Sequence, residues 1–275
     1  MMLKTRILTA LVAIPLFVLV LFGGKVFFIA GWTGLTLIAA YEWMKLTRHT
    51  QDRGDTTVGM VEMAWRLLAL AAFMYAAPGW GQAFLWLVGL PALYFWWRVV
   101  PRQLSRYGED GHLDVSSLLW PWAHILVFDA FVLAGAFLYV KLGPAALLGL
   151  LVIIWAADTG AYTAGRLFGK RPLAPKISPK KTREGFVGGC VTAMLAALVY
   201  VMIFEIPMPG WLFIPLSAGI VAFAAVGDLW ESVLKRAVDV KDSGRCLPGH
   251  GGMFDRIDSW LPSLLFWALA FSWFV

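Results

Sequence analysis

Charge is scarce in this chain. Of its 275 residues only 15% are Asp, Glu, Lys or Arg, while 60% are hydrophobic. An ordinary soluble domain carries about a quarter charged residues and about half apolar ones. A water-soluble globular protein is thereby excluded, and a polytopic membrane protein is implied. Cysteine is scarcer: Cys190 and Cys246 stand far apart and make neither a disulfide framework nor a zinc knuckle. No Gly-x-x-x-x-Gly-Lys-Ser/Thr run is present, which excludes P-loop phosphate binding. No internal repeat or low-complexity tract marks a repeat-built transporter.

Apolar runs fill the sequence instead. Crossing the hydrocarbon core takes about 20 such residues, fewer where the ends reach into the interface. That rule predicts an all-α polytopic integral membrane protein with about nine transmembrane helices. They fall near 7–22, 26–46, 63–77, 81–97, 118–140, 144–165, 186–205, 211–233 and 259–275. Pro78-Gly79 leaves the third run short, so eight crossings is the alternative count. The first run follows Lys4 and Arg6, as in a signal peptide. Further apolar segments come after it, with no small-x-small cleavage site leading to a soluble domain, and it reads as an uncleaved span.

The cations give the orientation. With the N-terminus in the cytoplasm, the cytoplasmic segments hold Lys4, Arg6, Lys45, Arg48, Arg53, Arg98, Arg102, Arg106 and the basic cluster from Arg166 to Arg183. The opposite side holds Lys25 and Lys141. This is the asymmetry of the positive-inside rule. The formal net charge of +6 suits anionic lipid, a phosphorylated substrate or nucleic acid. Cations placed at span ends favour the first two, and no nucleic-acid partner is expected. The chain divides into N-terminal helices with a cytoplasmic loop, 1–117, and a C-terminal catalytic region, 118–275. Residues 98–117, with Pro and Gly breakers and no periodicity, read as a solvated loop.

Three acidic clusters fall at cytoplasmic span ends. Asp158, Tyr162 and Arg166 share one helical face at the end of the sixth span. Asp228, Glu231 and Lys235 do the same at the end of the eighth, and Asp255 and Asp258 stand one turn apart where the ninth begins. A single acid at a span end is most simply a solvated charge. Three clusters meeting at one membrane surface point to a site, because grouped carboxylates repel unless a cation lies among them. An all-oxygen set suits Mg²⁺, as one ion or two. Beside them runs GRLFGKRPLAPKISPKKTREGFVGG, which carries Lys170, Arg171, Lys176, Lys180, Lys181 and Arg183 into a helix start near Glu184. Alone it reads as a lipid-surface anchor; beside carboxylates it reads as a clamp for a triphosphate.

The densest polar stretch is Ser232 to Asp258, SVLKRAVDVKDSGRCLPGHGGMFDRID. Ser232, Leu234, Lys235, Arg236, Lys241, Asp242, Gly244, Leu247, Pro248, His250, Gly251, Gly252, Met253, Asp255, Arg256, Ile257 and Asp258 fill every slot of a family signature. By it the chain resembles the phosphatidate cytidylyltransferases (CDP-diacylglycerol synthases). The segments Asp158 to Gly160, Ser178 to Thr182 and Glu184-Gly185 extend the resemblance over the C-terminal half, and the N-terminal half matches only as apolar spans.

The resemblance implies transfer of a cytidylyl group from CTP to phosphatidate in a bacterial-type inner membrane. It also implies Mg²⁺ and a homodimer. Asp228, Glu231, Asp255 and Asp258 are then the metal candidates, with Asp158 and Asp242 alternatives for metal or ribose. Lys180, Lys181, Lys235, Arg236, Lys241, His250 and Arg256 are candidates for phosphate and substrate contact. Asp129, in mid-span, reads as protonated or paired with Arg66 or His124 and lies outside the site. Two rivals remain: a CTP-dependent membrane lipid or polyprenol kinase, and a transporter of a phosphorylated solute. The crowding of charge at one surface counts against the transporter. The Asp-Gly, Ala-Arg and paired-aspartate pattern of CDP-alcohol phosphotransferases is missing.

Overall fold

Helices account for nearly every expected span. The computed structural model describes residues 2–48, 63–64, 67–69, 78–113, 122–206, 208–249 and 251–275. Its helices are α1 (Met2–Phe22), α2 (Lys25–Arg48), α3 (Pro78–Tyr94), α4 (Val100–Asp110), α5 (Ala130–Leu142), α6 (Pro144–Phe168), α7 (Arg183–Ile203), α8 (Gly210–Ala237), α9 (Phe254–Ile257) and α10 (Trp260–Ser272). Among the described residues six helical stretches are long and apolar enough to cross a membrane: Lys25–Thr47, Gly79–Asp110, Ile125–Leu142, Pro144–Phe168, Arg183–Ile203 and Gly210–Ala237. The shorter Leu11–Phe22 and α10 coincide with the first and ninth expected spans. The third, 63–77, lies mostly outside the described residues.

Among the described residues two π-helical turns interrupt the bundle. Phe95–Val99 joins α3 to α4, with the Val100 N–H donating to Phe95 O. Pro101 follows at the start of α4, where its missing N–H costs nothing. The segment 98–110, expected as loop, is therefore helical. Its helix buries Val100 and Gln103 and exposes the charged side, a periodicity that Pro101 and Gly108 obscured. The second π turn, Ile125–Asp129, leads into α5 and ends on Asp129, which is buried. Arg66, one of its expected partners, lies outside the described residues.

Small residues bring α6 and α7 together. A Cβ at Gly160 would meet Thr192 Oγ1 at 2.0 Å, and one at Gly188 would meet Ala164 Cβ at 2.2 Å. Close backbone approach of this kind replaces the hydrophobic drive that is absent between helices in lipid. The tight pairing holds the Asp158 end of α6 against the start of α7. Between them runs an antiparallel hairpin, β1 (Pro172–Ala174) and β2 (Ser178–Thr182), pairing Pro172 with Thr182 and Ala174 with Ser178. The Ser-Pro-Lys-Lys-Thr segment is thus a strand.

Polar contacts gather distant segments at one end of the bundle. Thr9 Oγ1 donates to Pro248 O at 2.8 Å, Lys176 Nζ to Glu109 O at 3.1 Å, and the Phe254 N–H to Glu42 at 2.9 Å. These are the ends that the positive-inside reading puts on one side. At the far end Tyr200 donates to Ala146 O, and Gln82 to Ser272 O.

Candidate active site

The site is set by the rotation of α8. Trp230 is fully buried, with Trp96, Phe95, Trp43 and Phe254 at ring-centroid distances of 5.2, 5.9, 6.5 and 6.3 Å. A large aromatic locked by packing fixes the helix about its axis, and so fixes the flanking Asp228 and Glu231. Gly227 lets the next element close in, because a Cβ there would stand 2.3 Å from Asp258 O. Asp258 is brought in this way against the carboxylates of α8.

Asp228, Glu231 and Asp258 each place a carboxylate oxygen within 4.8 Å of the other two. Glu231 and Asp258 are buried, and the Asp228 side chain, 36% exposed, forms the open side of the group. Asp258 Oδ1 accepts from the Ser259 N–H at 2.7 Å and from Ser259 Oγ at 3.1 Å. Burial, then the charge of Asp228, pushes the Asp258 carboxyl up to about 7, against the opposing pull of Ser259 and Lys181. Glu231 Oε2 accepts from Lys235, while Oε1 is buried with no hydrogen-bond partner. Three carboxylates in mutual reach, two of them buried, fit a hard, oxygen-seeking cation such as Mg²⁺.

Two lysines border this group. Lys181 of β2 contacts Asp228 directly, and Asp158 of α6 lies within electrostatic reach of both. Lys235 bridges Glu231 at 2.6 Å and Asp255 at 2.7 Å. The hairpin that carries Lys181 is tied down locally. Glu184 Oε2 accepts from the Lys170 and Arg171 N–H groups, the Arg183 N–H donates to Arg171 O, and Thr182 caps α7 by accepting from the Gly185 N–H. Two of the N–H groups at the start of α7 are therefore engaged within the chain.

Asp255 stands apart from the triad. Its Oδ2 accepts from the Ser243 N–H at 2.9 Å, Ser243 Oγ at 3.0 Å and the Gly252 N–H at 2.8 Å, and its Oδ1 takes Lys235. Burial opposes its ionisation, but Lys235 and the Gly252 N–H together hold the carboxyl well below the usual carboxylate range. Its oxygens are thus occupied by Ser243, Gly252 and Lys235, and it lies outside the group of Asp228, Glu231 and Asp258. The sequence reading made it a metal ligand.

Lys180, Arg236, Lys241, Asp242 and Arg256 are exposed. Asp242 lies near Gly251, whose Cβ would come 3.5 Å from Asp242 Oδ1. His250 lies outside the described residues. Two residues the sequence reading passed over are at the centre: Glu42 of α2 and Ser243. An acid near the end of an otherwise apolar span was the available signal for Glu42. A cavity of about 730 Å³ adjoins, lined by Leu104, Leu173, Ile177, Phe186 and Leu229 among others, and by none of the triad.

The chain is similar to known proteins over nearly its whole length. The model of the cytidylyltransferase family matches residues 4–274. A phosphatidate cytidylyltransferase of Haemophilus influenzae is 32% identical, over 94% of this chain and 94% of its own. Those of Bacillus subtilis and Pseudomonas aeruginosa are 31% and 33% identical, over 98% of both chains and over 94% and 93% respectively. The similarity thus spans the N-terminal half as well, where only apolar spans were legible. A match over nearly the whole length, around a triad drawn from α8 and the α9–α10 junction, leads to one conclusion: the chain belongs to the cytidylyltransferase family.

Proposed function

We propose that the protein is a phosphatidate cytidylyltransferase: it transfers the cytidylyl group of CTP to phosphatidate and releases CDP-diacylglycerol and pyrophosphate. The observation that carries this reading is the Asp228–Glu231–Asp258 triad bordered by Lys181 and Lys235, in a chain similar to enzymes of that name from end to end. The phosphate monoester of phosphatidate, with a second pKa near 6, is already an anionic nucleophile at neutral pH. Its oxygen forms a bond to the α-phosphorus of CTP. The bond from that phosphorus to the bridging oxygen breaks, and the electron pair leaves with pyrophosphate. No side chain need act as base.

The task of the protein is to hold two polyanions together. Lys181 and Lys235 offset charge on the triphosphate, with Lys180, Arg236, Lys241 and Arg256 on the exposed rim. Asp228, Glu231 and Asp258 would hold one or two Mg²⁺ ions, which supply charge neutralisation at the α-phosphoryl and the leaving pyrophosphate. Asp255 orients Lys235. The apolar cavity beside Leu229 offers the lipid's hydrocarbon a place next to Asp228.

Nine crossings, with the N-terminus and the site in the cytoplasm of a bacterial inner membrane, complete the proposal. Eight of the nine expected spans coincide with described helices, and the lysine and arginine asymmetry supports the orientation. A cytosolic nucleotide and a lipid from the leaflet then reach one surface. A homodimer is proposed on family resemblance. The test is incubation of purified protein with phosphatidate and CTP labelled at the α- or the γ-phosphate. Label from the α position in the lipid product supports transfer; label from the γ position would make the protein a kinase.

A further inference from the structure

We propose that Glu42, on α2, is a positioning residue for cytidylyl transfer: it fixes the loop Ser243–Phe254 and, through it, the Asp255–Lys235 pair beside the triad. The inference rests on the placement of Lys235 and the triad in the transferase site. Glu42 is 5% exposed, near the end of an apolar helix. A buried carboxylate there is costly unless donors meet it. They do: Oε2 accepts from the Phe254 N–H at 2.9 Å and from Ser243 Oγ at 3.1 Å. Both donors come from the other end of the chain, so the contact ties α2 to the polar loop before α10.

The loop backbone closes on this carboxylate with no space for a methyl group. A Cβ at Gly244 would lie 2.0 Å from Glu42 Oε1, and one at Gly252 would lie 2.4 Å from Oε2. Gly244 is therefore required by Glu42 itself, and Gly252 by Ser243 Oγ, 2.2 Å from its Cβ position, together with Glu42. Ser243 Oγ also stands 3.0 Å from Asp255 Oδ2 and accepts from the Asp255 N–H at 3.3 Å. Having one proton, that hydroxyl serves one carboxylate at a time, and both are held within reach of it. Asp255 then holds Lys235, and Lys235 reaches Glu231. The path Glu42–Ser243–Asp255–Lys235–Glu231 is continuous, and each link is a contact of 3.1 Å or less.

Misplacing a reacting or contacting group by about 1 Å costs about 10²-fold in rate. Glu42→Ala is expected to lower kcat by about that factor, with KM for phosphatidate little changed and the folded fraction intact. Glu42→Gln keeps a carbonyl that can accept from Phe254 and Ser243, and should recover most of the loss. Gly244→Ala, whose methyl displaces Glu42, should lower kcat in the wild-type background and add little in Glu42→Ala. A purely structural role would shift the melting temperature and leave kcat per folded molecule unchanged. Unchanged kcat in Glu42→Ala, or an equal loss from Gly244→Ala in both backgrounds, would overturn the proposal. Should Glu42→Ala fail to accumulate, Ser243→Ala decides, since it deletes only the shared hydroxyl: a lowered kcat at an unchanged melting temperature supports the proposal, and an unchanged kcat sinks it. Absence of CTP- and phosphatidate-dependent turnover in the wild type would instead count against the proposed reaction.

Discussion

Lys235 and Asp255 form an ion pair 2.7 Å long between α8 and the start of α9, and the same ammonium reaches Glu231 at 2.6 Å. The pair divides the acidic residues into two sets with different work. Asp228, Glu231 and Asp258 face one another with an oxygen to spare, whereas Asp255 is filled by its own chain.

Asp255→Asn and Asp258→Asn should therefore differ in kind. Removing one partner of a buried ion pair costs about 3–5 kcal/mol. Lys235 keeps Glu231 as an acceptor, so the lower end is expected for Asp255→Asn. It should melt earlier and turn over more slowly at an unchanged Mg²⁺ optimum. Asp258→Asn should melt no earlier than wild type under chelation and lose nearly all Mg²⁺-dependent transfer. Thermal denaturation and Mg²⁺ titration of turnover separate the two, and identical behaviour would contradict the division.

Lys181 contacts Asp228 from β2, and phosphates should compete for it. A hydrogen bond to a charged group contributes about 1.5–3 kcal/mol. Lys181→Ala should then raise KM for CTP by about ten-fold or more, with abundance in the membrane unchanged. Normal CTP affinity combined with poor insertion would return the hairpin to the role of a lipid anchor.

The raised carboxyl of Asp258 gives a pH signature in chelated protein. Its folded value of about 7 lies above the unfolded value of about 3.9. The folded state thus binds that proton more tightly, and the associated stability is complete below about 3.9 and is lost as pH rises through about 7. Wild-type protein should lose melting temperature relative to Asp258→Asn across that window, and saturating Mg²⁺ should restore it in wild type alone, because the metal replaces the proton. Parallel profiles in chelator would contradict the assignment.

The orientation is open to direct labelling. Lys176→Cys and Lys241→Cys, each in a background lacking Cys190 and Cys246, should resist an impermeant thiol reagent added outside intact cells. Reaction from outside would reverse the topology and detach the site from cytosolic CTP.

Span positions and the acidic residues of α8 were legible because both depend on local pattern: apolar length in one case, helical spacing in the other. Segment 98–110 was not, since Pro101 and Gly108 resemble breakers in a list of residues but occupy tolerated positions in a helix entered through a π turn. Asp255 and Asp258 look equivalent at a spacing of one turn. Lys235 and Ser243, which distinguish them, come from elsewhere in the polar stretch and meet Asp255 only in three dimensions. Glu42 escaped for the same reason at greater range. Its partners Ser243 and Phe254 lie at the opposite end of the chain, and no local spacing joins them.

Asp228, Glu231 and Asp258 are proposed to hold the metal on which transfer depends. Titration of purified, chelator-stripped protein with Mn²⁺ as a paramagnetic stand-in for Mg²⁺, followed by loss of the free-ion signal, tests it most directly. Wild type and Asp255→Asn should both bind the ion, and Asp258→Asn and Glu231→Gln should not. Binding by Asp258→Asn with wild-type affinity, or its loss in Asp255→Asn alone, would contradict the account.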